Sequence, residues 1–341
     1  MTIKDTNTMT APKLKIGILS FAHMHAHSYA HELRRREDVE IAGIWDSDGS
    51  RGQEMADNFG TTYYELPADL LATGLDGVIV ASENIFHRSL VEESAAAGVK
   101  AILCEKPLAP TVADAEAMVR ACADAGVKLA TAFPCRHAPA FKRLRDQVQS
   151  GALGEILAIR GTNRGSNPGG WFVDTQLSGG GAIMDHTVHV ADLIWQLLGK
   201  EAVDVYAESG NGFYHQDWDD TGFLTIGYGN GVFATLDTSW SRPKSYPTWG
   251  DVTLQVIGRK GVIDLDLFGQ SLEHYSSEPY RTSWNYWGSS MDGGLVAEFV
   301  KLCKGETSTE IATGEDGLRA VAIVAAAYAS VKQGRPELLR V

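Results

Sequence analysis

Residues 179–192, GGGAIMDHTVHVAD, set three ionisable side chains behind a run of glycines. From Ala182 to Leu198 the apolar residues recur with helical period, so Asp185, His189 four on and Asp192 three further share one face. An imidazole on such a face can take a proton near neutral pH, while a carboxylate fixes its tautomer or holds a substrate hydroxyl. The same spacing also arises as a surface pair or a satisfied core contact, and spacing alone does not separate these readings. A second segment, Cys104-Glu105-Lys106-Pro107, ends an apolar run at the position where open α/β sheets bind ligands. Lys106 there is either a site residue or an exposed loop lysine, and a cis bond to Pro107 would hold its backbone.

The elements that must position these groups alternate along the first third of the chain. Residues 14–21, 39–45, 76–82, 99–105 and 127–133 read as strands; His25–Arg36, Ser50–Asn58, His87–Ala97 and Asp114–Ala125 read as helices. That alternation means βαβ units and a doubly wound parallel sheet. The turn after the first strand of such a sheet receives a dinucleotide pyrophosphate, normally through Gly-x-Gly-x-x-Gly. Here it is Ser20-Phe21-Ala22-His23-Met24-His25, which a strict motif search rejects. The second strand ends in Asp46, suited to the adenosine ribose hydroxyls of NAD or to a simple turn; Arg51 leaves NADP open. His23, His25, His27 and His31 also raise a metal-dependent hydrolase, since His-x-His after a first strand opens metal sites on β/α barrels. No later strand end offers further His and Asp ligands at regular spacing, so no metal is assigned.

A length of 341 residues favours two domains, and 44% hydrophobic residues is globular composition. A net charge of -13 argues against nucleic acid or an anionic membrane as partner. Residues 1–12 are polar and read as a disordered tail; no signal peptide or membrane span is recognisable, which implies a cytoplasmic protein. Cys104, Cys122, Cys135 and Cys303 lack metal-type spacing and are read as reduced thiols.

With these residues assembled, the chain from about Lys13 onward resembles the glucose-fructose oxidoreductase / inositol dehydrogenase (Gfo/Idh/MocA) family. The resemblance is carried by DGVIVASENIFH (76–87), AGVKAILCEKPLA (97–109), FPCRHAPAFK (133–142) and WFVDTQLSGGGAIMDHTVHVAD (171–192). It implies a Rossmann domain over 13–134, then an α+β domain over 135–341 built on a large, open, mainly antiparallel sheet. The later runs AVDVYAES, FLTIGYGNGVFATLDTSW and DVTLQVIGRKGVIDLDLF alternate accordingly. A homodimer or homotetramer is implied as well. Position by position, Lys106, Asp185 and His189 match the family's catalytic lysine, aspartate and histidine, and Asp192 an acidic position near substrate. Ser20 to His25, Asp46, Arg51, Ser82, Glu83, Asn84, His87, Glu105 and Lys106 are the implied cofactor contacts. Arg136, Asn163, Arg164, Trp171 and Asp174 join Lys106, Asp185 and His189 as implied substrate contacts. The chain departs from the family at Ser20, Ala22 and His25, which replace glycines, at Cys135, and at His186, where glycine is common.

The expected reaction is NAD-dependent oxidation of a secondary hydroxyl on a sugar, polyol or sugar derivative. His189 takes the hydroxyl proton, Lys106 stabilises alkoxide charge, and Asp185 holds a neighbouring hydroxyl or orients the imidazole. The aromatic segments 238–251 and 280–288 read as a carbohydrate wall or as packing of the sheet. Alternatives are oxidation followed by elimination to cleave a glycoside, a non-catalytic nucleotide or sugar sensor, and the metal-dependent hydrolase.

Overall fold

A computed structural model describes residues 12–277, 280–286 and 288–339. Residues 1–11 of the expected 1–12 tail and the aromatic side chains of the 280–288 segment lie outside the described residues. The first unit runs β1 (Leu14–Leu19), α1 (His25–Arg34), β2 (Val39–Trp45), α2 (Gly49–Phe59), β3 (Tyr63–Tyr64), α3 (Pro67–Leu71), β4 (Gly77–Val80), α4 (His87–Ala96), β5 (Ala101–Cys104), α5 (Val112–Ala125) and β6 (Lys128–Thr131). The strands lie in the order β6-β5-β4-β1-β2-β3, all parallel. β4 and β5 are buried along their whole length, as expected where helices cover both faces of a sheet. β1 stops at Leu19, short of the expected Phe21, because Ser20 turns the chain at φ 77°. β3 and α3 were not expected; both are too short to carry a period.

The second unit contains α6 (Pro139–Gln149), β7 (Ile156–Thr162), α7 (Thr175–Ser178), α8 (Ala182–Leu198), β8 (Asp204–Gly210), β9 (Thr221–Gly227), β10 (Phe233–Asp237), β11 (Thr253–Gly258) and β12 (Gly261–Asp266). The hairpin β13 (Ser271–Ser277) and β14 (Tyr280–Tyr286) follows, then α9 (Met291–Cys303), β15 (Ala312–Thr313), α10 (Gly314–Gln333) and β16 (Glu337–Leu338). Its sheet, β12-β11-β7-β10-β9-β8-β16, is antiparallel except where β10 runs parallel to β7. One face packs on α6, α8 and α10 through Leu144, Ile183, Val190, Ile194, Val324 and their neighbours. The other face leaves Phe223 and Phe233 exposed.

The chain then returns to the first unit. Leu295, Val296 and Phe299 of α9 join the core formed by Ile16, Ile18 and Tyr29, and β15 adds antiparallel to β6. Most of α9 and Ile311 therefore pack with the first sheet, while Met291 and Ala312 meet the core of the second, within the 135–341 span expected as one domain. All four cysteines are buried and unpaired. Among the described residues no helix is long and apolar enough to cross a membrane.

Candidate active site

Two devices fix the start of α8. Gly179 has φ 84°, and a Cβ on Gly181 would lie 2.0 Å from the Asp219 carbonyl oxygen, so the approach has to be glycine. That contact lets Asp219 cap the helix from a remote loop: its carboxylate accepts from Gly181 N (3.2 Å) and Ile183 N (2.7 Å), and its carbonyl from Ala182 N (2.8 Å). Asp185, in the first turn, is thereby aimed at the carboxyl end of β5. Lys106 meets it there, Nζ to Oδ1 at 2.6 Å, with only 3% and 8% of the two side chains exposed. Trp240 Nε1 donates to the other oxygen at 3.2 Å, and His186 Nε2 stands 3.2 Å from it. Burial opposes ionisation of Asp185, but the Lys106 ammonium and His186 hold its carboxyl well below the usual carboxylate range. The Lys106–Pro107 bond is cis.

His189, one turn further, faces the same cavity of about 330 Å³, which His25, Asn163, Phe172 and Trp249 also line. Burial, reinforced by Lys106, pushes its imidazole well below the usual value, so it rests neutral. Its Nδ1 is buried and has no hydrogen-bond partner among the described residues. No hydrogen bond joins Asp185 to this ring among the described residues; its oxygens accept from Lys106 and Trp240.

The phosphate turn is rebuilt without glycine. Ser20 adopts the left-handed conformation a glycine would supply, and its hydroxyl accepts from Ala22 N (3.0 Å) while Phe21 N donates to Asp46 (2.7 Å). α1 begins with no capping side chain and no carboxylate in its first turn. The His25 and His27 amides make only long contacts, 3.2 Å to His23 Nδ1 and 3.3 Å to the Met24 carbonyl. These donors at a helix N-terminus suit a diphosphate, so a dinucleotide fits the turn. Asp46 is committed as well, to Arg51 Nη2 (2.6 Å), Arg51 Nε (2.8 Å) and Asp48 N (2.9 Å). Ribose hydroxyls would have to compete with Arg51 for it.

His23, His25 and Glu105 come within metal-ligand distance, their donor atoms all within 4.8 Å of one another. The donor set does not suit a cation. His23 Nδ1 accepts the His25 N–H, which leaves Nε2 carrying the hydrogen, and Glu105 already accepts from the Tyr29 hydroxyl and Lys106 N.

Several expected contacts lie elsewhere. Arg136 is 1% exposed and forms a bidentate pair with Asp192, with Asp316 at 3.0 Å, so it does not reach the cavity as a substrate contact. Asp192 shares the α8 face with Asp185 but lies roughly 10 Å further along the axis, beyond the cavity. His87 is wholly buried, its Nδ1 near the Pro107 and Leu108 carbonyls and its Nε2 near that of Ser82, and it braces the Lys106 turn. Asn84 donates to the Ser178 carbonyl (2.8 Å), and the Ser82 hydroxyl to that of Glu83 (3.1 Å). Arg164 is drawn away to Asp251 (3.1 Å), and Asp174 caps α7. Trp171 donates to the Ala22 carbonyl (3.0 Å) and stacks on Phe172, which takes the place on the cavity wall. Asn163 does line the cavity, its amide nitrogen held by the Asp251 carbonyl and its oxygen without a hydrogen-bond partner among the described residues.

Tyr29, Phe172, Asp219 and Trp240 were not singled out. Tyr29 stands one helical turn from His25 and was accessible to the same spacing argument. Asp219 reaches α8 only through the fold.

Comparison with known proteins agrees with this architecture. Residues 15–133 match the oxidoreductase family described by its NAD-binding Rossmann fold, and residues 141–264 match the GFO/IDH/MocA C-terminal domain. D-glucoside 3-dehydrogenase of Escherichia coli K12 is 32% identical over 255 residues, covering 69% of this chain and 72% of that one. Myo-inositol 2-dehydrogenase of Thermotoga maritima is 26% identical over 334 residues, covering 94% and 97%. The crystal structure of GenD2 from gentamicin A biosynthesis, in complex with NAD, superposes with TM-score 0.88 at 26% identity, covering 97% of each chain. The chain belongs to the Gfo/Idh/MocA family of NAD-binding oxidoreductases.

Proposed function

We propose that this protein oxidises a secondary hydroxyl of a sugar, polyol or sugar derivative, with NAD as the oxidant. The observation that carries the reading is the buried Lys106–Asp185 pair beside a neutral His189 on one wall of a cavity at the carboxyl end of β5. The names of the relatives, two of which act on a glucoside and an inositol, point to the substrate class. When bound, NAD accepts the hydride at its nicotinamide ring. Everything else falls to the chain. His189, unprotonated at rest, accepts the hydroxyl proton; Lys106 donates to the substrate oxygen as negative charge builds on it. Asp185 holds the Lys106 side chain in place.

The amides at the start of α1 would hold the diphosphate and Asp46 the adenosine ribose, as a carboxylate that repels the 2'-phosphate of NADP. Arg51, 2.6 Å from Asp46, keeps NADP as a second cofactor. Residues 13–134 with most of α9 form the dinucleotide-binding part, and Trp249 and Phe172 offer aromatic faces to the C–H faces of a sugar. A homodimer or homotetramer in the cytoplasm completes the reading, supported by the exposed Phe223 and Phe233 on the open sheet face and by four unpaired thiols. The test is NADH formation from a panel of sugars, glycosides and polyols by wild-type protein and by His189→Ala. Turnover that falls about 100-fold or more in the variant supports the assignment, and an unchanged rate removes it.

A further inference from the structure

His189 accepts a proton but has nowhere inside the protein to send it. Its Nδ1 is buried and unpartnered among the described residues, and its ring edge meets Phe133 at 6.2 Å between centroids. The proton has to leave through the cavity. His25 lines that cavity, and 31% of its side chain is exposed. Its Nδ1 lies 3.3 Å from Glu105 Oε1, which leaves Nε2, on the far side of the ring, for the cavity. An imidazole with one nitrogen held by a carboxylate and the other open to solvent is an arrangement that relays protons.

We propose that His25, held by Glu105, is the proton shuttle of this active site, taking the proton that His189 removes from the substrate hydroxyl and releasing it to solvent. The inference rests on His189 as the proton acceptor. In the balanced step the substrate C–H bond gives its electron pair and hydrogen as hydride to NAD. The O–H bond gives its proton to His189, and that proton passes across the cavity, through water or a substrate hydroxyl, to His25 Nε2 and out.

The surroundings favour His25 over its neighbours. Glu105 is completely buried, accepts from the Tyr29 hydroxyl and from Lys106 N (3.0 Å), and is held well below the usual carboxylate range against its burial by His25 and Lys106; it stays an anion and acts as a positioning residue. His23 packs against His25 at 4.4 Å, but burial keeps it neutral. From α1 Tyr29 faces His25 at 3.4 Å, from α9 Asp292 adds negative charge, and Lys106 and, from α8, His189 complete its titratable surroundings. Burial would lower His25, yet Glu105, supported by Asp292, raises it above the ordinary histidine value, so it is a better proton acceptor than its neutral neighbours.

The experiment compares wild type, His25→Gln and Glu105→Gln for kcat as a function of imidazole buffer concentration at fixed pH, for kcat against pH, and for NADH affinity by energy transfer from tryptophan. The expected result is NADH affinity in His25→Gln within about 3-fold of wild type, with kcat lowered by about 10- to 100-fold and restored by imidazole. Wild-type kcat is independent of imidazole and rises with pH through the His25 titration, a limb that the variant loses. Glu105→Gln moves that limb to lower pH. Wild-type kcat in His25→Gln, low kcat that imidazole does not restore, or NADH affinity lost along with kcat would each overturn the shuttle while leaving the wild-type enzyme active. A folded wild-type protein that forms no NADH from any sugar or polyol would instead overturn the reading on which it rests.

Discussion

Replacing Arg136 by Met should damage the fold and spare substrate affinity. The guanidinium is 1% exposed; its Nε donates to Asp192 Oδ2 at 2.6 Å, its Nη2 to Asp192 Oδ1, and Nη2 lies 3.0 Å from Asp316. Arg319 also reaches Asp316, at 2.9 Å, but leaves Asp192 to Arg136 alone. Met fills the aliphatic space and removes the only cation that Asp192 meets among the described residues. Burial already pushes the Asp192 carboxyl up to about 6, so protonation relieves part of the stranded charge, and the loss approaches about 3–5 kcal/mol only well above that pH. For a unit of this size that corresponds to a midpoint lowered by roughly 6–20 °C. The assay is calorimetric melting of wild type and Arg136→Met, alongside KM for the substrate at a temperature where both are folded. Adding Asp192→Asn to the Met variant removes the stranded charge and should recover about 1–2 kcal/mol, because the two positions are coupled. A variant that melts with wild type and shows a KM raised by an order of magnitude would refute this and return Arg136 to the substrate.

Other consequences follow from the same geometry. Lys106→Met should lower kcat/KM by about 100-fold or more, since it removes the donor to the developing alkoxide and strands the Asp185 carboxylate. NADH affinity, read by tryptophan energy transfer, should change far less than turnover. Because Asp185 titrates well below its ordinary value in the folded protein, its contribution to stability is complete above pH ~4 and is lost as pH falls through the lower folded value. Melting across that acid range should show a steep loss in wild type and a shallower one in Asp185→Asn. Asp219→Ala removes the acceptor for Gly181 N and Ile183 N and should cost about 1–2 kcal/mol on denaturant titration, the loss of a helix cap. Arg51→Ala releases Asp46 for ribose hydroxyls, so the ratio of NAD to NADP efficiency should rise; a fall would show that Asp46 does not face the ribose.

The order of strands and helices in the first unit was legible because each element carries its own period. Residues 39–45 form a strand over the span read from sequence, and His25, His87 and Ala125 mark helix ends read from it. Asp185 and His189 were equally legible on one face of one helix. What sequence could not supply was which partner each charge would choose. Arg136 looks available in a chain and is consumed by Asp192, which is 56 residues away. Asp46 looks free for ribose and is met by Arg51. The return of α9 to the first sheet was likewise hidden, because an amphipathic helix states that it has an apolar face without naming the surface that will cover it. His25 carried a signal that was read as a missing glycine; its pairing with Glu105 depends on the distance between the end of β5 and the start of α1, which only the folded sheet sets.

The central claim is NAD-dependent hydride removal from a carbinol carbon, with His189 taking the proton. The most direct measurement is NADH formation in a single turnover from a glycoside or polyol deuterated at the oxidised carbon, in wild type and in His189→Ala. The account predicts that deuterium slows wild-type NADH formation and that the variant binds NADH normally but turns over about 100-fold more slowly or worse. NADH formed at the wild-type rate by His189→Ala, or product formed with no NADH and no deuterium effect in either protein, would contradict it.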